Sequence, residues 1–497
     1  MLRSLLIAAW VAFAANAATI TLRTLPSSTI DAEHDAESEP MPLPVLASWH
    51  GGIAAEEVRT SATAAEPALL ASFAALGDDG TVIPPDTNGA AGPDHLVAML
   101  NTQLRVQTRS GAELRTVSTR SIFDAVRNNG RVFDPRVVFD VTWNRWIVCV
   151  VTDQRRLPDN PKRTGSALLL AVSRSADPMG EWDLSRYESA EGVWLDYPQL
   201  GYDSNRIVVA TNVYDVDDDS FVRASVFVIP KAPGAYAVRI DDAIVGGGLA
   251  PTVAMHPTSS VFLVQRVNGN SFGRGIVRMF AISNLRLSFI AAATSTRTWA
   301  LQGLADRKDF APQLGREDRI SAGDDRILHA VYRGGYVYAV QNVYVPADNP
   351  RRAAVQWWQL RLDGTAAQRG IIEDTSNQVF YAYPSLAVNR HQDMLIGFTR
   401  FSANTYASAA YAFRAGTETT LTAPVIYKDG EAPYYRFDGV RNRWGDYSAT
   451  VVDPINDTDF WTIQEYAATP SGGIDRWSTW WAFVRPPSIA RRRTSRH

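Results

Sequence analysis

The sequence has a single cysteine in 497 residues, so no disulfide within the chain can brace it. That residue, Cys149, lies in the apolar run "RWIVCVVTD", where a thiol is expected to be buried and inert. Histidine is scarce, seven in all, and no His-x-x-x-His pair occurs. This argues against a helical zinc site. No Gly-rich phosphate loop is present, and Gly269 to Gly273, "GNSFG", matches Gly-x-Ser-x-Gly without a helix after it. It is therefore not a nucleophile elbow. Excess positive charge is also missing: the net charge is −3, which gives no global field for nucleic acid. Beyond the first residues, no apolar run approaches the ~18 residues of a membrane span. Long helical patterns are rare.

What is present begins with "MLRSLLIAAWVAFAANA". Arg3, an apolar stretch and the small-x-small site Ala15-Asn16-Ala17 read as a secretory signal peptide over residues 1–17. Residues 18–66 have little periodicity and read as a mobile leader. A folded domain is expected over 67–485. Residues 486–497, ending "ARRRTSRH", read as a solvated basic tail.

Within the domain, short apolar runs rich in β-branched and aromatic residues are separated by Gly, Asp, Asn and Pro turns. One pattern recurs: a strand, an acidic or polar turn, then a second strand. It appears as "DTNGAAGPDHLVAMLNT" from Asp86, "DPRVVFDVTWNRWIVCVVTD" from Asp134, "DYPQLGYDSNRIVVATN" from Asp196 and "APTVAMHPTSSVFLVQR" from Ala250. Further copies are "DDRILHAVYRGGYVYAVQN" from Asp324, "YPSLAVNRHQDMLIGFTR" from Tyr383 and "DYSATVVDPINDTDFWTIQE" from Asp446. Two of them share Trp-x-Asp-Tyr, at Trp194 to Tyr197 and at Trp444 to Tyr447. Four-stranded units recurring every ~40–60 residues specify a β-propeller. The expected fold is all-β: seven four-stranded blades, with six blades, as in sialidases, the alternative. The last copy shows one clear strand after its hairpin, so the N-terminal "LASFAAL" is expected to complete that blade and close the ring.

Taken together and in order, "IPPDTNGAAGPDHLV", "AVSRSADPMGEW", "DYPQLGYD", "YPSLAVNRHQDMLIGFT" and "RWGDYSATVVDPINDTDFWTIQEY" resemble a family of exported bacterial β-propeller proteins grouped with sialidase-like propellers. The resemblance implies a propeller fold and export, and brings no agreed reaction. "SADPMGEW", Ser175 to Trp182, is similar to a sialidase Asp-box turn with one extra residue before the Gly. Its expected role is structural.

In a propeller the first strand of each unit lines the channel and the second returns antiparallel. The start of the first and the end of the second therefore share one face, where ligands commonly bind. Strand starts there bring Asp86, Asp134, Asp196, Asp324, Asp325, Tyr383 and Asp446. Strand ends bring Asn101, Asp153, Asn212, Arg266, Asn342, Arg400 and Glu465. Three readings are open. The carboxylates could cap turns. Asp196, Asp446 and Asp86 could hold a hard cation such as Ca2+, with the acidic loop from Asp215 to Asp219 beside them. Or Glu465 with Asp134 or Asp196 could form a carboxylate pair acting on a glycosidic bond. In that reading Tyr383 or Tyr447 would be nucleophile or stacking platform, Arg266 and Arg400 would hold an acidic sugar, and Asn101, Asn212 and Asn342 would contact the ligand. The basic loop Thr152 to Gly165, on the same face, would bias it toward anions. No motif demands a cofactor.

The function expected from sequence is a secreted or periplasmic monomer. It would bind a glycan or an extracellular protein at the channel mouth without catalysis. A sialidase-like glycoside hydrolase or lyase using the same mouth is the alternative.

Overall fold

The computed structural model describes residues 11–13, 16–25, 57–61, 65–154, 164–232, 237–242, 246–283, 285–303, 309–416 and 418–487. Most of the signal segment, much of the leader, the basic loop's residues 155–163 and most of the tail lie outside the described residues. Among the described residues, helix is confined to two short turns, Leu22–Thr24 and Thr119–Ile122.

Four-stranded antiparallel units follow one another along the chain. The first is Asn88–Ala91, His95–Met99, Gln103–Thr108 and Glu113–Ser118. The second is Arg131–Asp140, Arg145–Gln154, Thr164–Ser173 and Glu181–Glu188. The third is Val193–Tyr202, Arg206–Asp215, Phe221–Pro230 and Ala237–Asp242. The fourth is Ala250–Pro251, Val261–Ser271, Arg274–Ser283 and Arg286–Ser295. Ile327–Arg333, Tyr336–Val345, Arg352–Arg361 and Ala366–Ile372 form the fifth. Val379–Val388, Met394–Ser402, Thr405–Arg414 and Val425–Lys428 form the sixth. The last takes Ala449–Val452, Phe460–Ser471 and Ile474–Arg485 from the C-terminal end and Ala68–Gly77 from the N-terminal end. Each repeated stretch of the sequence is the first hairpin of a unit. The arrangement is a β-propeller.

Burial explains the run composition. Second strands are covered on both faces by neighbouring units, so Trp146 through Asp153 are all buried, and the sequence there is continuously apolar rather than alternating. Outer strands alternate instead: Glu181–Glu188 buries Trp182 and Leu184 and turns Glu181 and Asp183 outward. Near the axis the inner strands touch in parallel, Tyr202 beside Val253 and Val253 beside Val331.

Ring closure rests on Ala68–Gly77 pairing antiparallel with Ile474–Arg485. Leu76 is fully buried there, and Thr479 Oγ1 accepts from Leu76 N at 3.0 Å. The end of the segment read as signal peptide and the start of that read as leader are also placed. Asn16–Thr21 pairs with Glu181 to Arg186 as a fifth strand of the second unit, and Leu22 is buried among Ile122, Phe123 and Val126. On the face opposite the channel mouth, carboxylates at hairpin tips bind cations from the next unit: Asp140 takes Lys231, and Asp453 takes Arg109.

Candidate functional site

The channel mouth begins with a backbone device. Asp86, just before an inner strand, and Asp134, Tyr197 and Tyr383, inside inner strands, have φ near +50°, at 54°, 55°, 52° and 55°. Three of them, Asp134, Tyr197 and Tyr383, sit within a strand register shift, so their N–H groups leave the sheet ladder and need another acceptor. Neighbouring units supply it. Asn101 Oδ1 accepts from Asp134 N at 2.8 Å, Asn342 Oδ1 from Tyr383 N at 2.8 Å, and Asp134 Oδ2 from Tyr197 N at 3.0 Å. Asn212 Oδ1 does the same for Gly248 N at 2.9 Å. The other end of the amide is also engaged in two cases: Asn342 Nδ2 donates to Ala322 O at 3.0 Å, and Asn101 Nδ2 to Asp86 Oδ2 at 2.9 Å. The three asparagines read as ligand contacts are thus buried inter-unit staples.

The charged groups are likewise held from within. Arg266 pairs with Asp325 at 2.8 Å, Asp153 with Arg131 at 2.7 Å, and Asp446 with Arg443 at 3.0 Å. Arg400 Nη1 donates to Thr405 Oγ1 at 2.8 Å. Asp196 pairs in the ladder with Asn212 and is half-buried. Tyr383 is buried, and its hydroxyl donates to Ser321 O at 2.9 Å. Burial pushes this phenol well above its ordinary range, so it is neutral at physiological pH. Glu465 is 3% exposed, with Gly445 against it. Burial, then the nearby carboxylates Asp86 and Asp78, raise its pKa well above the carboxylate range, against a smaller opposing effect of Arg443. Glu465 is therefore an interior acid whose surroundings favour its neutral form. Among the described residues no group of three or more His, Cys, Asp or Glu gathers to hold a metal ion. Cys149 is buried, and burial pushes its thiol up to about 12.

The two Trp-x-Asp-Tyr motifs meet at the axis. Tyr197 and Tyr447 stack at 5.2 Å with 27° between their planes. The Tyr447 hydroxyl donates to Asp134 Oδ2 at 2.9 Å across the channel. Arg326 lies 4.0 Å from the Tyr197 ring centroid and Arg136 4.3 Å from that of Tyr447. All four side chains are buried. Together they plug the mouth. A hairpin, Asp309–Gln313 with Arg316–Ser321, and the connection before Ala449–Val452 roof it: Asp309 takes Asn442 N at 2.8 Å, and Gln313 Nε2 bonds Tyr434 O at 2.8 Å. The plug residues Arg136, Tyr197 and Arg326 were not singled out from sequence. The repeated Trp-x-Asp-Tyr was the available signal, since its tyrosines rather than its aspartates make the shared contact.

Beyond the plug lies a cavity of about 60 Å³, lined by inner-strand segments that include Ala90, Val138, Leu200, Val253, Val331, Ala387 and Val452. Among the described residues, the mouth face carries most of the exposed large apolar side chains: Val222, Phe272, Leu301, Leu314, Phe437, Val440 and Ile474. Phe272 is 93% exposed at a hairpin tip, with φ 50°. Tyr435 and Phe437 lie parallel to within 1°.

No known family and no curated protein matches the chain. Solved structures do. A protein of unknown function from Dyadobacter fermentans is similar with TM-score 0.41 and 10% identity, over 72% of this chain and 96% of that one. The Trypanosoma rangeli sialidase is similar with TM-score 0.37 and 9% identity, over 78% of this chain and 57% of that one. An α-L-arabinanase of Penicillium chrysogenum, solved with arabinobiose, gives 0.33 and 9%, over 59% and 93%.

Proposed function

We propose that the protein is an exported, non-catalytic propeller of seven blades that binds a glycan or protein ligand on its mouth face. The observation that carries the reading is the gathering of exposed apolar side chains on that face, Phe272 above all. A bulky residue in the left-handed region is strained, at a cost of roughly 1–2 kcal/mol, and full exposure of its ring gains nothing in folding. Both costs make sense if the ring meets a partner. The non-catalytic reading is supported by the burial of Glu465, Asp134 and Tyr383, each at most 3% exposed. Seven blades are supported by the recurrence of the four-stranded unit and by the closing pair.

The test is a glycan and polysaccharide panel, scored for both binding and hydrolysis, with and without Ca2+. Binding without turnover is expected, weakened in Phe272→Ser and Phe437→Ser and kept in Glu465→Gln. Hydrolysis that disappears in Glu465→Gln would overturn the non-catalytic reading in favour of the glycosidase. Export predicts a mature N-terminus at Ala18, read by intact mass of the exported fraction; a retained Met1 segment would refute it.

A further inference from the structure

The cavity behind the plug has a chemistry of its own. Arg136 lines it and is 5% exposed. Its guanidinium stacks on Tyr447 and donates to Gln199 Oε1. Among the described residues no carboxylate forms an ion pair with it. Asp134, two residues earlier, is engaged by the Tyr447 hydroxyl and Tyr197 N. Tyr447 thus stands between the Arg136 guanidinium and the Asp134 carboxylate, and a buried cation held from direct contact with its counter-charge remains costly. Asn88, also in the lining, accepts Val137 N through Oδ1 at 2.9 Å, which leaves its Nδ2 as a donor. This end of the cavity therefore offers donors and one full positive charge. His329 adds none, since burial lowers its pKa to about 4.

The other end is apolar, formed by Val253, Met255, Val331, Val388 and Val452. Met255 is part-exposed, so this end reaches solvent on the face opposite the plug. About 60 Å³ is several times the ~10–15 Å³ that one water requires. We propose that the central channel is a binding site for a short-chain monocarboxylate, entered from the face opposite the plug. The carboxylate sits on the Arg136 guanidinium, which suits two parallel N–H···O bonds. The chain lies against the valines and Met255. The site is separate from the mouth-face surface and stands or falls without it.

The experiment is calorimetric titration of the full chain at neutral pH with acetate, propionate, butyrate and hexanoate, beside the alcohols and amines of equal length. Only carboxylates should bind. Affinity should rise about fourfold per added methylene, the factor for burying one CH2, until the cavity is full. Arg136→Met should abolish binding. Ala387→Leu, which narrows the apolar end far from the guanidinium, should keep acetate and weaken butyrate at least tenfold, so the proposal can be judged even if Arg136→Met fails to fold. Failure of the wild-type protein to bind any of these acids would overturn it. So would equal binding of the alcohols, or affinity that chloride matches and chain length does not change.

Discussion

Replacing Asn342 by alanine separates the two roles this residue could have. It is 1% exposed, accepts Tyr383 N at 2.8 Å and donates to Ala322 O at 3.0 Å. Tyr383 stands at φ 55°, where the strand ladder offers its N–H no partner. Alanine orphans that buried donor, at about 1–3 kcal/mol, and removes a second bond worth about 1 kcal/mol. The expected loss is about 2–4 kcal/mol, a large share of the ~5–15 kcal/mol that holds a typical domain. Urea unfolding should show a lower midpoint with an unchanged slope. Phe272→Ser is the counterpart. That ring is 93% exposed, so its removal should leave the midpoint nearly unmoved and weaken ligand binding. If Asn342→Ala unfolded like the wild type and lost ligand instead, the staple account of Asn101, Asn212 and Asn342 would be wrong.

Leu76→Ala should cost about 2–5 kcal/mol, because that side chain is fully buried in the closing strand. Leu70→Ala, 45% exposed in the same strand, should stay within about 0.5 kcal/mol; equal shifts of the two unfolding midpoints would refute closure by this strand. Burial, with Asp438 and Asp318 nearby, raises the Asp309 carboxyl from its ordinary 3.8 to about 6, against the bond from Asn442 N. A raised carboxyl binds more protons folded than unfolded, so its contribution is complete below pH ~4 and is lost as pH climbs through ~6. Asp309→Asn should flatten the fall of stability across that window, and an unchanged pH profile would exclude Asp309 as its source.

The unit was legible because it is local. A strand, a tight turn and a returning strand occupy about twenty consecutive residues, and the apolar run of "RWIVCVVTD" follows from coverage on both faces. The closing strand was legible for a related reason: the last hairpin lacked a partner, and an unpaired sheet edge invites one. Contacts across the ring were not legible. Tyr447 and Asp134 are 313 residues apart and bond at 2.9 Å, and nothing in either neighbourhood encodes that meeting. The left-handed positions hid as well. Asp before Pro reads as a turn cap or a ligand, whereas here the backbone of Asp134 turns its N–H toward Asn101.

The same geometry explains why residue type alone misplaced the emphasis on the aspartates. A ring of converging strands brings many polar groups to one mouth, and in water each would be free to meet a ligand. Desolvation changes their use. A carboxylate or amide that is buried must find a partner inside the protein, and Asp134, Asn342 and Arg266 all do so. Where burial is matched by an internal bond, the group holds the ring together. Groups that could recognise something else are those for which the matching is incomplete: an exposed aromatic with no fold to support, such as Phe272, and a buried guanidinium with no direct ion pair among the described residues, such as Arg136. One faces outward from the mouth and the other inward from behind the plug, so the two should be separable by single substitutions.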